Sequence, residues 1–348
     1  MEKKTGHPHA TPTFEWLFVL FTLMQTAGVF VDGWAHTHIL NQIDTFFTPW
    51  HALFYGGFIL SSGVLFIELI KNHKNGYPWL RALPREYFFA LGGVVIFGIG
   101  GVADLIWHTV FGIEAGLDAL LSPSHMMLAF GGAVMSSAPF HAIYYRDTNV
   151  HRILKLPVVI SFSLFFMVFT FMMQFFHPFY LPLWMSNLPD VNIMSELQYM
   201  FHQELGIANA IIYTGIFMGL LLSTIRSWKF PFGSFTLILG MNALGMTLMV
   251  GGFYQFILTG FIAGFLVDII YKKLFHNLRE HHVIRIFGFL VPVAIFGAYV
   301  FTVLTTNDTW WSIHLVAGYI VISGIAGMLM TYLVVPPGDI VINKICNF

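Results

Sequence analysis

A chain of 348 residues would ordinarily fold as two soluble domains, but only 9% of this one is charged, against about 25% in soluble proteins, and 57% is hydrophobic. Sixteen basic and 17 acidic residues cannot cover a water-facing surface of that size, and a net charge of −1 excludes nucleic-acid binding. A disulfide scaffold is excluded by the single cysteine, Cys346, and the composition is that of an all-α polytopic membrane protein.

A bilayer core takes about 20 apolar residues in a helix. Ten such stretches follow one another, near 13–35, 46–70, 87–111, 122–145, 154–177, 198–225, 232–251, 253–271, 284–305 and 310–335. The first contains Glu15 and no small-residue cleavage site, so it reads as a membrane helix and not as a signal peptide. With ten crossings, all 16 Lys and Arg fall on one side. The opposite links carry only acidic residues: Asp44, Glu114, Asp118, Asp190 and Asp308. The positive-inside rule then places both termini in the cytoplasm of a multi-pass protein of the plasma (cell) membrane.

The chain has 16 His, as many as its Lys and Arg together. Seven lie in the basic segments, where a solvated role is ordinary. Eight gather near the outer helix ends: His36, His38, His51, His108, His125, His177, His202 and His314.

Four ionisable side chains recur in the same order on two hairpins. Val31-Asp32-Gly33-Trp34-Ala35-His36 is followed by Asp44-Thr45-Phe46-Phe47-Thr48-Pro49-Trp50-His51. Ala103-Asp104-Leu105-Ile106-Trp107-His108 is followed by Asp118-Ala119-Leu120-Leu121-Ser122-Pro123-Ser124-His125. Both read D-x3-H, a link, then D-x4-P-x-H, so helices 1–2 and 3–4 form a parallel internal repeat. On a helix, residues four apart share a face about 5–6 Å apart, which lets Asp32 and His36, or Asp104 and His108, address one atom. Thr48-Pro49 and Ser122-Pro123 read as a cap and first-turn proline, starting the next helix with His51 and His125 in its opening turn. Each hairpin therefore offers one carboxylate and two imidazoles as metal ligands, with Asp44 and Asp118 as groups that could orient an imidazole. A proton relay could be built from the same side chains.

The segment Asp32-x3-His36 with Asp44-Thr45-x-Phe47-Thr48-Pro49-x-His51 resembles the metal-binding region of the C subunit of particulate methane and ammonia monooxygenases, the copper membrane monooxygenase family. In the second copy, Trp107-His108 and Ser122-Pro123-Ser124-His125 match the family pattern directly. The resemblance implies Asp32, His36 and His51, and likewise Asp104, His108 and His125, as ligands of a metal usually assigned as copper. The family carries one such motif per chain, and this chain carries two.

Accessory candidates are His38, His177, His202, Glu204 and His314, all near outer helix ends. Asp268, four residues before Lys272, suggests an ion pair within the eighth helix. One carboxylate and two imidazoles suit copper, zinc or non-haem iron; the resemblance favours copper, and haem comes last.

The expected organisation is residues 1–145 as duplicated metal-binding hairpins and 146–348 as a six-helix bundle continuing the same membrane domain. Two functions remain open: a copper-dependent, monooxygenase-like oxidoreductase, or a non-catalytic protein that binds, handles or transports copper or zinc. Whether the chain is itself an enzyme stays undecided by its residues. The expected partners are the lipid bilayer and either other membrane subunits or a second copy.

Overall fold

The computed structural model describes residues 4–39, 46–112, 114, 116–146, 155–180, 195–278, 280–306 and 309–336. Among them there are eleven α-helices and no strands. They are α1 (Pro12–His38), α2 (Pro49–Lys74), α3 (Phe88–Phe111), the short α4 (Leu117–Leu121), α5 (Pro123–Tyr145) and α6 (Lys155–Met172). After these come α7 (Glu196–Thr224), α8 (Ser234–Val250), α9 (Gln255–Leu274), α10 (His281–Thr306) and α11 (Ile313–Val334). Each of the ten apolar stretches contains one long helix. Eight are long and apolar enough to cross a bilayer: α1, α2, α3 with its lead-in turn, α5, α6, α7, α10 and α11. The shorter apolar helix α8 is 17 residues long, and α9 is 20 residues long with Asp268, Lys272 and Lys273 in its last two turns. In hydrocarbon a helix satisfies its own backbone polar groups, and each long apolar stretch adopts that solution. The protein is an all-α polytopic membrane protein.

Two compact units divide the chain: Met1–Met172 with Gly245–Gly252, and Met173–Leu244 with Phe253–Phe348. In the first, α1 packs along α2 and α3 along α5. These two pairings are built alike. A Cβ added to Gly28 of α1 would lie 2.5 Å from the Phe54 backbone of α2, and one on Gly57 would lie 2.3 Å from the Gln25 backbone. In the second pair, Gly100 stands to Asp104 as Gly28 stands to Asp32, and its Cβ would lie 3.1 Å from the Leu128 backbone. Gly131 stands to His125 as Gly57 stands to His51, and meets the Phe97 backbone at 2.6 Å. Small residues let the two helices of each pair approach at backbone distance, and the repeat therefore extends from the polar ends into the packing. Phe14, Phe18, Phe54, Tyr87, Phe97 and Leu128 belong to the core of this unit.

Pro139 sits inside α5, where it removes one backbone donor. Ser161 of α6 repairs the break. Its hydroxyl accepts from the Phe140 N–H at 3.0 Å and donates to the Ser136 carbonyl, replacing a helical bond by a two-step one. At the far end of the unit from the His-rich helix ends, Arg146 pairs with Glu15 of α1 and with Glu86, all three side chains being buried. Buried charges persist only when paired in this way.

In the second unit α10 packs on α9 and α11, and α11 on α7. The Asp268–Lys272 ion pair expected from spacing is replaced by another bond. Asp268 is buried and accepts from the Phe235 and Thr236 N–H groups at 3.3 and 2.9 Å and from the Thr236 hydroxyl at 2.6 Å. It caps the start of α8 from a different helix, where several donors converge on its two oxygens and outweigh one solvated lysine.

Candidate metal centre

Both repeated motifs fold into the same local device. Asp32 and His36 stand one turn apart near the end of α1. The chain returns at Thr48, whose Oγ1 caps α2 by accepting from the His51 N–H at 3.2 Å, with Pro49 in the first turn. His51 Nε2 then lies 3.2 Å from Asp32 Oδ1, and His36 Nε2 lies 3.8 Å from Asp32 Oδ2. In the second copy Ser122 Oγ accepts from the His125 N–H at 3.4 Å, again with proline in the first turn. His125 Nε2 and His108 Nε2 lie 3.0 and 3.5 Å from the same oxygen, Asp104 Oδ1. Asp32, His36 and His51 form one group whose donor atoms all fall within 4.8 Å, and Asp104, His108 and His125 form another.

Three imidazoles are held by their other nitrogen. His51 Nδ1 lies 2.5 Å from the Phe46 carbonyl, which can only accept, so Nδ1 carries the proton. His108 Nδ1 lies 3.2 Å from the Gly112 carbonyl and 3.4 Å from Glu114 Oε2. His125 Nδ1 lies 2.7 Å from Ser122 Oγ, which already accepts from a backbone N–H. Such outer contacts fix tautomer and ring orientation. With Nδ1 protonated, Nε2 of His51 and of His108 turns a lone pair toward a carboxylate oxygen, whereas the Ser122 hydroxyl accommodates either tautomer of His125. Two lone pairs at about 3 Å repel unless a proton or a cation stands between them. Asp32 Oδ1, His36 Nδ1, Asp104 Oδ1 and His108 Nε2 are buried without a hydrogen-bond partner. Orphaned polar atoms are costly, and the three that face the two foci, Asp32 Oδ1, Asp104 Oδ1 and His108 Nε2, are what bound cations would satisfy. The donors fit a divalent metal.

Two contributors were not singled out from the sequence. Tyr55, one turn beyond His51 on α2, donates to Asp104 Oδ2 at 2.9 Å and leaves Oδ1 facing the imidazoles. Glu114 reaches His108 and also accepts from the Trp107 indole N–H. It holds the position beside an imidazole expected of Asp118, which is exposed on α4. Glu114 was visible as a lone carboxylate in the link after His108. Tyr55 sits where the second copy has Ala129, so only a departure from the repeat pointed to it.

The remaining candidates stand elsewhere. Asp44 lies outside the described residues. His38 is exposed, stacked on Trp34 with ring centroids 5.2 Å apart, and bonded through Nδ1 to the Trp34 carbonyl at 2.9 Å. His177, His202, Glu204 and His314 belong to the second unit, where no further group of three metal-binding side chains occurs among the described residues. Glu204 and His314 are exposed, and His202 is half-buried.

His177 is fully committed to the protein. Its Nδ1 accepts from the Phe179 N–H at 3.1 Å, and its Nε2–H donates to Asn242 Oδ1 at 2.8 Å. Burial pushes its pKa from 6.5 down to about 3. The unfolded chain takes up a proton near pH 6.5 that the folded chain refuses until about pH 3, so stability falls as pH drops through that window. His177→Gln should therefore flatten the acid side of a plot of melting temperature against pH. An unaltered slope between pH 6.5 and 4 would show that His177 is not its source.

Fold and side chains together define a class: a multi-pass helical membrane protein with two carboxylate–imidazole clusters at the same end of a duplicated hairpin. No family model matches the chain, and neither a curated protein nor a solved structure matches it significantly.

Proposed function

We propose that the protein is a membrane metalloprotein that holds copper at Asp32, His36 and His51 and at Asp104, His108 and His125, and that it serves as a copper-dependent oxidoreductase. The observation that carries the metal reading is one carboxylate oxygen, Asp104 Oδ1, faced by two imidazole Nε2 atoms with no hydrogen-bond partner of its own. Copper and redox activity rest on the resemblance of the two motifs to the monooxygenase C subunit; the same donors also suit zinc or non-haem iron.

Bound copper would supply a change of oxidation state and a coordination position open to a small molecule. The chain's own residues hold the ligands in place: Phe46, Gly112 and Ser122 orient imidazoles, Tyr55 orients Asp104, and Glu114 adds negative charge beside His108. The Asp104 and His108 side chains are each 2% exposed and His125 is 20% exposed, so the cluster is buried on the Asp104 side and opens to solvent at His125.

Metal handling without chemistry would use the same donors. Passage across the membrane calls for binding groups or broken helices near the midplane. Here α1, α2 and α3 run unbroken, α5 is interrupted only at Pro139, about four turns from His125, and the clusters sit at one end of these helices, which supports a fixed site. The one-sided basic residues support cytoplasmic termini in the plasma membrane and clusters that face outward.

Elemental analysis of the purified protein after loading with Cu²⁺ should give two ions per chain, and an impermeant chelator outside intact cells should remove them. The double variant His51→Ala, His125→Ala should hold none. Unchanged metal content in that variant would overturn the reading.

A further inference from the structure

We propose that the two clusters form one paired centre, in which an ion at Asp32–His36–His51 and an ion at Asp104–His108–His125 are immediate neighbours and influence each other. This rests on the metal reading above and adds to it. The spacing between the clusters is the first ground. The His51 and His108 rings, one from each cluster, have centroids 6.4 Å apart. That is the separation of His36 and His51 inside the first cluster, 6.4 Å, and close to that of His108 and His125 inside the second, 5.4 Å. No protein layer separates the two. The Phe46 ring lies 4.8 Å from His51 and 6.1 Å from His108, packing against both clusters at once.

The second ground is the cross-link. Tyr55 belongs to the first hairpin, and its ring lies 6.1 Å from His51. Its hydroxyl donates to Asp104 of the second hairpin at 2.9 Å. At the corresponding place the second copy has Ala129, four residues after His125, so the repeat is broken where one copy reaches across to the other. A shift of the first hairpin is thereby transmitted to the carboxylate of the second cluster.

Charge gives the direction of the coupling. Two divalent ions bring four positive charges against the carboxylates of Asp32, Asp104 and Glu114. In a site sheltered from water, repulsion between neighbouring ions is screened far less than in solution. Glu114 stands with the second cluster, 3.4 Å from His108. The first ion therefore enters the Asp104 cluster, and its presence weakens binding of the next at the Asp32 cluster.

Titration of the whole protein with Cu²⁺ tests this without a variant. At one equivalent, the electron paramagnetic resonance spectrum should be that of a single isolated ion. At two, it should broaden or lose intensity per ion as the neighbours couple. Asp104→Asn gives a second measurement: with the neighbouring ion gone, the Asp32 cluster should bind Cu²⁺ severalfold more tightly than it does in the wild-type chain. Two bound ions whose spectrum stays that of isolated ions at every loading, with unchanged affinity at the Asp32 cluster in Asp104→Asn, would overturn the pairing and leave the two metal sites standing. No bound Cu²⁺ in the wild type would overturn the metal reading itself, and the pairing with it.

Discussion

Replacing Asp104 by Asn should remove one of two bound ions and leave the other. The substitution keeps the shape of the side chain and an oxygen for the Tyr55 hydroxyl, so packing is little disturbed. What it removes is the negative charge between His108 and His125, which stand 3.5 and 3.0 Å from Oδ1. Two neutral imidazoles and a neutral amide would then face the cation, with the positively polarised amide N–H groups free to point at it. Loss of an outer hydrogen bond typically costs about 10–100-fold in metal affinity, and loss of the ligating charge should exceed that. Tyr55→Phe provides the graded comparison. It leaves every ligand in place and frees only Asp104 Oδ2, so its effect should fall within about 10–100-fold. Metal content and Cu²⁺ affinity of the three proteins would measure both. If Asp104→Asn retained two ions at wild-type affinity, Asp104 would not be a ligand.

The second large effect lies well away from any ligand. Gly57→Ala places a Cβ 2.3 Å from the backbone nitrogen of Gln25, a contact that neither helix can relieve by rotating a side chain. α1 and α2 must move apart by about an ångström, and overpacking of this kind costs about 1–3 kcal/mol. Gln25 lies two turns below Asp32 on α1, so the displacement carries Asp32 away from His51 and the first ion should be lost with the stability. Gly131→Ala should do the same to the second cluster, through the Phe97 backbone at 2.6 Å. Gly63 of the same helix α2 is the control, because a Cβ there meets nothing within 4 Å. Gly63→Ala should be neutral or slightly stabilising, since alanine loses less conformational freedom in a helix. Thermal unfolding in detergent with metal analysis on each variant would check the set. Equal stability of Gly57→Ala and Gly63→Ala would mean that the close approach does not hold the hairpin together.

Much of this was legible in the residues because its causes are local. A membrane helix satisfies its backbone within itself, so apolar stretches located α1 to α3 and α5 to α11 without knowledge of any neighbour. The four-residue spacing of Asp32 and His36, and the Thr48-Pro49 and Ser122-Pro123 starts, are decided within a turn or two of helix. These set which side chains meet across each short hairpin. Glycines four residues before Asp32 and Asp104, and six after His51 and His125, recur in the sequence as well; their purpose emerges only once the paired helix is in place.

Contacts between distant helices were decided by the tertiary structure, because they depend on the rotation and separation of helices that no local pattern specifies. The Asp268–Lys272 spacing allowed an ion pair, yet packing of α9 against the start of α8 brings three donors to Asp268. His177 had the look of a ligand near a helix end, and burial beside Asn242 and Phe179 uses both of its nitrogens. Glu15, Glu86 and Arg146 are far apart in the chain and meet only where three elements converge. The distance between the two clusters belongs to the same class: the sequence by itself determined two equivalent sets of donors, whereas the packing of one hairpin on the other brought His51 to His108 and Tyr55 to Asp104.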